Sequence, residues 1–364
     1  MEKRDIKSLS FTELQLALRD LDEPPYRAEQ LRHALYTSTA LDFSGMTTLS
    51  KSLREKLSNA FYISHLRPAL DTNSAEQENA QTLKFLFELR DGLHIETVLI
   101  PDFRNGHDRL TVCVSSQVGC AMACNFCATG YMGFTRNLTI GEIVDQVEGA
   151  AAWAAENFGK RITNIVFMGM GEPMMNLERC MEAIEILSHD RYKFKIGERH
   201  ITLSTVGVVP GIRTLAESAA KFKLAVSLHS AIQEKRASMM PIALQYPLSD
   251  LREALIYYTE TKGKPVFFEY LLIDGINDSA ADAKALIKFA RAMPCKINLI
   301  DYNPIANIDL RRSDSERKED FIRALVEADL TVTVRRSRGR DINAACGQLA
   351  TKSLSSKKLK SPVA

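Results

Sequence analysis

The chain has 364 residues, 45% hydrophobic and 25% charged, a globular composition with ample core material, and this excludes disorder as its main state. Its 47 Lys and Arg against 45 Asp and Glu leave a net charge of +2, which admits a polyanionic partner without requiring one. No stretch approaches the ~20 uninterrupted apolar residues of a membrane span, and the opening residues lead into no apolar segment, so neither a membrane anchor nor a secretory leader is expected. Seven cysteines without such a leader point to a cytoplasmic location and to thiols that are reduced, metal-binding or catalytic.

The first stretch reads as helical. Ser10 and Glu13 fit a capping box, and Leu14, Ala17, Leu18 and Leu21 follow at helical spacing until Pro24 and Pro25 stop the run. Leu31, Ala34 and Leu35 mark a second helix, and Leu49, Leu53 and Leu57 a third. Residues 1–80 are therefore expected to form a helical accessory module for packing or substrate docking. The pattern then switches to period two. Leu83, Phe85, Phe87 and Leu89 alternate with polar neighbours, Asp91-Gly92 is a hairpin turn, and Leu93, Ile95, Thr97 and Leu99 return, which makes 81–105 a β-hairpin extension.

From residue 106 strands and helices alternate. The predicted strands are 110–114, 162–168, 200–204, 224–228, 266–272, 297–300 and 331–334, and the helices between them are 140–157, 177–188, 210–220, 249–261, 279–291 and 315–329. This spacing predicts parallel βα units over 106–350, as a barrel or as a doubly wound sheet; in both, ligands gather at the C-terminal strand ends. The lysine- and serine-rich tail, 351–364, reads as disordered and basic.

Cys120, Cys124 and Cys127 form C-x3-C-x2-C after the first of these strands. Thiolates are soft ligands suited to zinc or to iron–sulfur clusters. Structural zinc wants a fourth ligand, for which His107, on a turn-rich loop, is a poor choice. Three cysteines on one loop suit a four-iron cluster with one iron left open for a ligand.

The run Cys-Ala-Met-Ala-Cys-Asn-Phe-Cys, with its aromatic residue before the last cysteine, resembles the radical S-adenosylmethionine signature. The preceding Ser115-Ser116-Gln117-Val118-Gly119 and the later Asp341-Ile342-Asn343-Ala344-Ala345-Cys346-Gly347-Gln348-Leu349 are more restrictive. Together they resemble the RlmN-type branch, the bacterial dual-specificity RNA adenine-C2 methyltransferases, over residues 96–350. The resemblance implies an α/β fold: the incomplete (β/α)6 radical SAM barrel.

It also implies roles for residues that are otherwise unremarkable polar or small groups. Cys120, Cys124 and Cys127 would hold a [4Fe-4S] cluster. Gly171 and Glu172, in Gly-Met-Gly-Glu-Pro, would hold the amino group of S-adenosylmethionine. Ser204, Ser227, Leu228 and His229 would contact its ribose and carboxylate, and Asn303 its adenine side. Cys346 would carry a methyl group, Cys113 would be its partner in a transient disulfide, and Glu96 would be a proton acceptor. Without the resemblance Cys113 reads as a buried strand thiol and Glu96 as a solvent-facing carboxylate. Cys180 and Cys295 match no motif and read as structural. Arg335, Arg336, Arg338 and Arg340 run up to Cys346 and suit phosphate contact with RNA.

The implied reaction uses two molecules of S-adenosylmethionine per turnover: one methylates Cys346, and the other gives a radical that activates the S-methyl group for addition to adenine C2. The implied substrates are adenosines in the peptidyl-transferase region of 23S rRNA and beside the anticodon of certain tRNAs. A flavodoxin or ferredoxin would be the electron donor and a monomer the working form. Two alternatives stand beside this reading. A Cfr-like enzyme would methylate C8 of the same ribosomal adenosine, against which Val118 and Pro173 speak; a non-catalytic iron–sulfur or zinc RNA-binding protein would leave Cys346 and Cys113 without a reason.

Overall fold

The computed structural model describes residues 3–38, 40–70, 82–103, 108–305, 308–335, 339 and 342–350. At the N-terminus a short strand, β1 (Arg4–Asp5), precedes three helices, α1 (Phe11–Arg19), α2 (Arg27–Thr37) and α3 (Lys51–Ala60), and β2 (Phe61–Tyr62) returns to pair with β1 in parallel. The capping box is formed: the Glu13 backbone N–H donates to Ser10 Oγ at 3.2 Å, and the Ser10 N–H donates to Glu13 Oε2 at 2.8 Å. Leu14, Leu18, Leu31, Leu53 and Leu57 fill a small core separate from the main one. Charged links tie this module to the rest, through Lys7 with the buried Asp145 and through Arg32 with Glu185 at 3.1 Å.

The rest of the chain is organised by one ten-stranded sheet. Strands β3 (Pro68–Leu70), β4 (Leu83–Glu88), β5 (His94–Asp102) and β6 (Arg109–Cys113) pair antiparallel in chain order. A side ribbon of β7 (Gln117–Gly119) and β8 (Phe134–Asn137) brackets the three-cysteine loop and the short helix α4 (Ala128–Tyr131). Then come α5 (Ile140–Phe158), β9 (Asn164–Phe167), α6 (Leu177–Ser188), β10 (Ile201–Thr205), α7 (Val209–Glu217) and β11 (Lys223–Ser227). Two short helices, α8 (Gln233–Met239) and α9 (Ile242–Gln245), precede α10 (Leu248–Lys262), β12 (Val266–Leu272), α11 (Ala280–Ala290), β13 (Cys295–Asp301), α12 (Ser315–Glu327) and β14 (Val332–Arg335).

From β6 through β9 to β14 every neighbour is parallel and the order follows the chain, so six βα units are succeeded by a last parallel strand. The two edges, β14 and β3, do not pair among the described residues, so the barrel is open. Strands buried on both faces read as apolar runs, as in Ile165, Val166 and Phe167 on β9. The strands and helices expected from the alternation are present, with ends shifted by a few residues. Sequence pattern missed β1, β2, β3, β7, β8, α4, α8 and α9, all too short to carry a period. The hairpin departs from simple alternation: Phe85 and Phe87 are buried as expected, but so are Lys84 and Glu96 on the other face. His107 and the tail 351–364 lie outside the described residues.

Candidate functional site

The C-terminal ends of the parallel strands converge on one cavity that, with the open solvent of its mouth, spans about 930 Å³. Its wall takes the three-cysteine loop, the turn after β9, Ser204 and Thr205 from β10, Ser227 and His229 around the end of β11, Glu269 from β12, and Cys346 with Gly347.

The loop is held by backbone. The Cys120 N–H donates to the Gly133 carbonyl at 2.8 Å, and Gly119, at φ +74, lies so close that an added Cβ would sit 1.8 Å from that oxygen. Helix α8 braces the far side, where the Asn125 backbone N–H and Nδ2 donate to the Met239 and Ser238 carbonyls, each at 3.1 Å. Burial is the first cause that raises the Cys120, Cys124 and Cys127 thiols, Cys120 to about 12 and Cys124 well above its ordinary value. The neighbouring thiols push Cys120 and Cys124 up further. Buried thiols that resist ionisation together are a donor set that metal ions neutralise. Among the described residues no three His, Cys, Asp or Glu side chains converge closely enough for a single ion. Three soft thiols on one cavity wall are the donor chemistry that an iron–sulfur cluster takes.

Glu172 follows a turn that only glycine fits: Gly171 has φ +100, and a Cβ there would meet the Gln117 side chain at 2.5 Å. The buried Glu172 carboxylate accepts the Met174 N–H at 3.0 Å and the Val206 N–H at 2.8 Å. Burial still raises it to about 7, against hydrogen bonds from Val206, Thr205 and Met174 that lower it. It is an acceptor poised for a cationic or N–H-donating ligand.

His229 adopts φ +54, and its Nδ1 accepts the Leu271 N–H at 3.0 Å, so the proton of the neutral ring sits on Nε2. Burial, then Arg236, lowers its pKa to about 3, which fixes it as a neutral donor. Phe126, the aromatic residue before the last loop cysteine, packs edge-on against it at 4.8 Å. Ser204 and Ser227 line the cavity, whereas the Leu228 side chain is fully buried in the main core and offers only backbone.

The segment bearing Cys346 is strapped across this cavity. The Ala128 N–H donates to the Gly347 carbonyl at 2.7 Å, Thr129 Oγ1 to the Leu349 carbonyl at 2.7 Å, and Asn303 Nδ2 to the Cys346 carbonyl at 3.1 Å. Asn303 Oδ1 is buried without a partner among the described residues. Cys346 itself is exposed, though the protein crowded around it raises its thiol, with Arg335 opposing. Cys113, buried at the end of β6, is raised to about 12, first by burial and then by Cys346. The charge of Cys346 thus bears on Cys113 although 233 residues separate them in the chain (346 − 113).

Two expectations need correction. Glu96 is not solvent-facing: it is buried, its Oε1 accepts Lys84 Nζ at 3.1 Å, and its Oε2 accepts the Ala350 N–H at 2.9 Å, because the returning C-terminal segment covers that face of the hairpin. Arg335, grouped in sequence with arginines suited to phosphate contact, is taken up by the protein itself. It ends β14 and turns inward, where Nη1 meets Glu269 Oε2 at 3.2 Å, since the buried Glu269 carboxylate demands a counter-ion. Arg336, Arg338 and Arg340 lie outside the described residues.

Sequence reasoning missed Glu269 and the fully buried Arg236. The signal for Glu269 was a lone charge inside the apolar run Val-Phe-Phe-Glu-Tyr-Leu-Leu. Arg236 carried none, since arginine in a short polar helix is ordinary.

Residues 114–289 match the Radical SAM superfamily, and residues 5–63 match the Ribosomal RNA large subunit methyltransferase N-terminal domain. The chain is 50% identical, over 98% of its length and 96% of the relative's, to the probable dual-specificity RNA methyltransferase RlmN of Chloroherpeton thalassium. It is 47% identical, over 96% and 95%, to the protein so named in Chlorobium phaeobacteroides. A crystal structure of a radical SAM methyltransferase from Sphaerobacter thermophilus superposes with a TM-score of 0.84 at 44% identity, covering 95% of this chain and 99% of that one. With such identity along nearly its whole length, on an open barrel whose strand ends carry the three-thiol loop, the chain belongs to the RlmN family of dual-specificity RNA methyltransferases within the radical SAM superfamily.

Proposed function

We propose that this chain methylates C2 of an adenosine in the peptidyl-transferase region of 23S rRNA, and of an adenosine beside the anticodon in a subset of tRNAs, by way of a methyl group placed first on Cys346. The observation that carries this reading is one cavity walled by the three loop thiols and by the exposed Cys346, whose charge also bears on the buried Cys113 at the end of β6. Cys120, Cys124 and Cys127 would hold the [4Fe-4S] cluster, and Gly171, Glu172, Ser204, Ser227 and His229 line the space for S-adenosylmethionine, two molecules of which are used per turnover. When bound, these groups supply one-electron cleavage of a sulfonium carbon–sulfur bond and with it a hydrogen-abstracting radical.

The protein's own residues do the rest. Adenine C2 is electrophilic, so a direct polar transfer of CH3+ is unfavourable and a carbon carried on sulfur avoids it. Glu172 accepts the ligand's amino N–H, and the His229 Nε2–H donates to its oxygens. Asn303 Oδ1 is free to accept from the adenine side. Cys346 carries the transferred carbon and becomes the protein end of a thioether to C2. Glu96, or Cys113 if it passes the proton on before it attacks, takes the C2 proton, and the unpaired electron of the adduct would return to the cluster, which restores the aromatic ring. The Cys113 thiolate then attacks the Cys346 sulfur: an S–S bond forms, the S–C bond breaks, and its electron pair leaves on carbon, which takes a proton to become the methyl group. The Cys113–Cys346 disulfide must be reduced at each turnover, which suits a reducing cytoplasm.

Both target sites are places where bases can be splayed out for access. The monomer, with a flavodoxin or ferredoxin as electron donor, is the working unit, and Arg336, Arg338 and Arg340 are placed by sequence to meet phosphate. Among the described residues no helix is long and apolar enough to cross a membrane. The test is an anaerobic assay with methyl-labelled S-adenosylmethionine on both RNAs, followed by mass spectrometry of the digested product. Label at adenine C2 in both supports the reading. Label at C8, or none with a loaded cluster, overturns it.

A further inference from the structure

Arg236, on α8, is fully buried, and among the described residues no carboxylate pairs with it. Burying a guanidinium without a counter-ion is costly, so the fold must use it for something that an apolar side chain cannot do. Two of its nitrogens bond backbone: Nη2 donates to the Val206 carbonyl at 2.6 Å and Nε to the Leu228 carbonyl at 3.2 Å. Nη1 is buried without a partner among the described residues.

The two carbonyls lie just past a ladder. Pairing between β10 and β11 ends at Thr205 with Val226, so beyond it Val206 and Leu228 have no bond from one strand to the other. The guanidinium bridges the two strand ends where the ladder stops. Gly207, at φ +100, lets it approach, for an added Cβ there would sit 3.1 Å from Nη2. Each carbonyl is also one step from a group that faces the cavity. The Val206 N–H donates to Glu172 Oε2 at 2.8 Å. The Leu228 carbonyl belongs to the peptide that leads into His229, whose φ of +54 few residues other than glycine adopt. Asn277 Nδ2 bonds the His229 carbonyl at 2.6 Å, so His229 is held through the peptides on both its sides.

We propose that Arg236 is a positioning residue: by bridging the Val206 and Leu228 carbonyls it sets Glu172 and His229 in place for S-adenosylmethionine. The proposal rests on the preceding reading that those two residues hold that ligand. One planar fork reaches both carbonyls with charge-assisted bonds. An apolar side chain of similar size would fill the space and leave the two strand ends free to drift apart.

The test is anaerobic equilibrium dialysis of S-adenosylmethionine against full-length, cluster-loaded protein, with affinity read per loaded cluster. Arg236→Met should weaken binding about 10- to 100-fold, the loss typical when a partner one step behind a site's own contacts is removed. Arg236→Lys, which keeps the charge but reaches one carbonyl at a time, should weaken it less. Coupling decides between positioning and general loosening. Combined with Glu172→Ala or with His229→Ala, Arg236→Met should cost less than the product of the separate losses, by about threefold or more, because one of the groups it places is then gone. Combined with Asn303→Ala, whose native Nδ2 bonds Cys346 and not the bridge, the losses should multiply. Wild-type affinity in Arg236→Met, or losses that multiply with Glu172 and His229 as they do with Asn303, overturns the assignment while the ligand site stands. Unchanged affinity in both Glu172→Ala and His229→Ala overturns the reading of the ligand site and this proposal with it. An Arg236→Met protein that folds but takes up no iron marks the arginine as a brace of the cysteine loop and overturns the assignment too. Should Arg236→Met fail to fold, the same combinations with Arg236→Lys must show the coupling or the proposal falls.

Discussion

Glu172→Gln removes a charge that the fold maintains against its own stability. In the protein without ligand, burial raises this carboxyl from 4.5 to about 7. The folded state thus binds the proton more tightly than the unfolded chain. The stabilisation from that proton is complete below about pH 4.5 and is lost as pH rises through about 7. A rise of this size corresponds to about 3 kcal/mol in all, of which about 2 kcal/mol falls between about pH 8 and about pH 5.5. Wild type should therefore gain a few degrees in melting temperature relative to Glu172→Gln on going from the higher pH to the lower. Ligand binding should run the other way. The amino group is best held by the ionised carboxylate, so affinity for S-adenosylmethionine should fall about tenfold between about pH 8 and about pH 6 in wild type beyond any change in Glu172→Gln. Because the ligand's own titration is common to both proteins, the difference isolates Glu172. Thermal unfolding at the two pH values and equilibrium binding to anaerobic, cluster-loaded protein measure the two effects. Parallel pH slopes for the two proteins, in both stability and binding, would refute the reasoning.

Three further outcomes follow from the same geometry. Replacing Cys120, Cys124 or Cys127 with Ala should abolish 5′-deoxyadenosine formation and lower bound iron, both measurable on anaerobically purified protein; full activity in such a variant removes the cluster from this loop. Cys346 should carry an added methyl group when protein is isolated with S-adenosylmethionine, as peptide mass spectrometry would show, and RNA methylation surviving in Cys346→Ala would refute its role. Cys113→Ala should still allow Cys346 to be methylated but should trap protein on RNA; as a merely structural thiol it would instead lose about 1 kcal/mol of stability, read by denaturant unfolding, and form no adduct.

The barrel was legible because its strands are long enough to show apolar runs and its helices long enough to show a 3.6 period. The pieces that finish the site were not. Helix α8, which braces the cysteine loop through Ser238 and Met239, is too short and polar to carry a pattern. The C-terminal segment reads as a loop in sequence, and only its hydrogen bonds to Ala128, Thr129 and Asn303 reveal it as a strap. The cysteine triplet was legible from spacing, since metal ligands on one loop are local. The pairing of Cys113 with Cys346 was carried by resemblance alone, because how near the end of β6 comes to the chain beyond β14 depends on how the whole sheet curls, which no local pattern encodes. Arg335 was grouped with arginines suited to phosphate because it opens their run, and its inward turn depends on a carboxylate two strands away that sequence pattern did not single out.

Glu96 holds the C-terminal segment, and a pair of substitutions separates that contact from its proposed role as a base. As an anchor, its Oε2 accepts the Ala350 N–H at 2.9 Å and so fixes the segment that presents Cys346. As a base, it would take the C2 proton. Glu96→Gln keeps an oxygen for the Ala350 N–H but cannot act as a base, whereas Glu96→Ala loses both. Leaving that N–H without its acceptor costs about 1–3 kcal/mol, on a segment still held by its bonds to Ala128 and Thr129. Cys346 methylation depends on presenting the sulfur and should survive in Glu96→Gln while falling in Glu96→Ala. RNA methylation should fail in both. Lys84 meets Glu96 Oε1 at 3.1 Å, and either variant removes that ion pair. The double variant Glu96→Gln with Lys84→Met removes both ends of the pair: if the proton is the issue, RNA methylation still fails. Wild-type RNA methylation by Glu96→Gln would leave the carboxylate an anchor alone and assign the proton to Cys113.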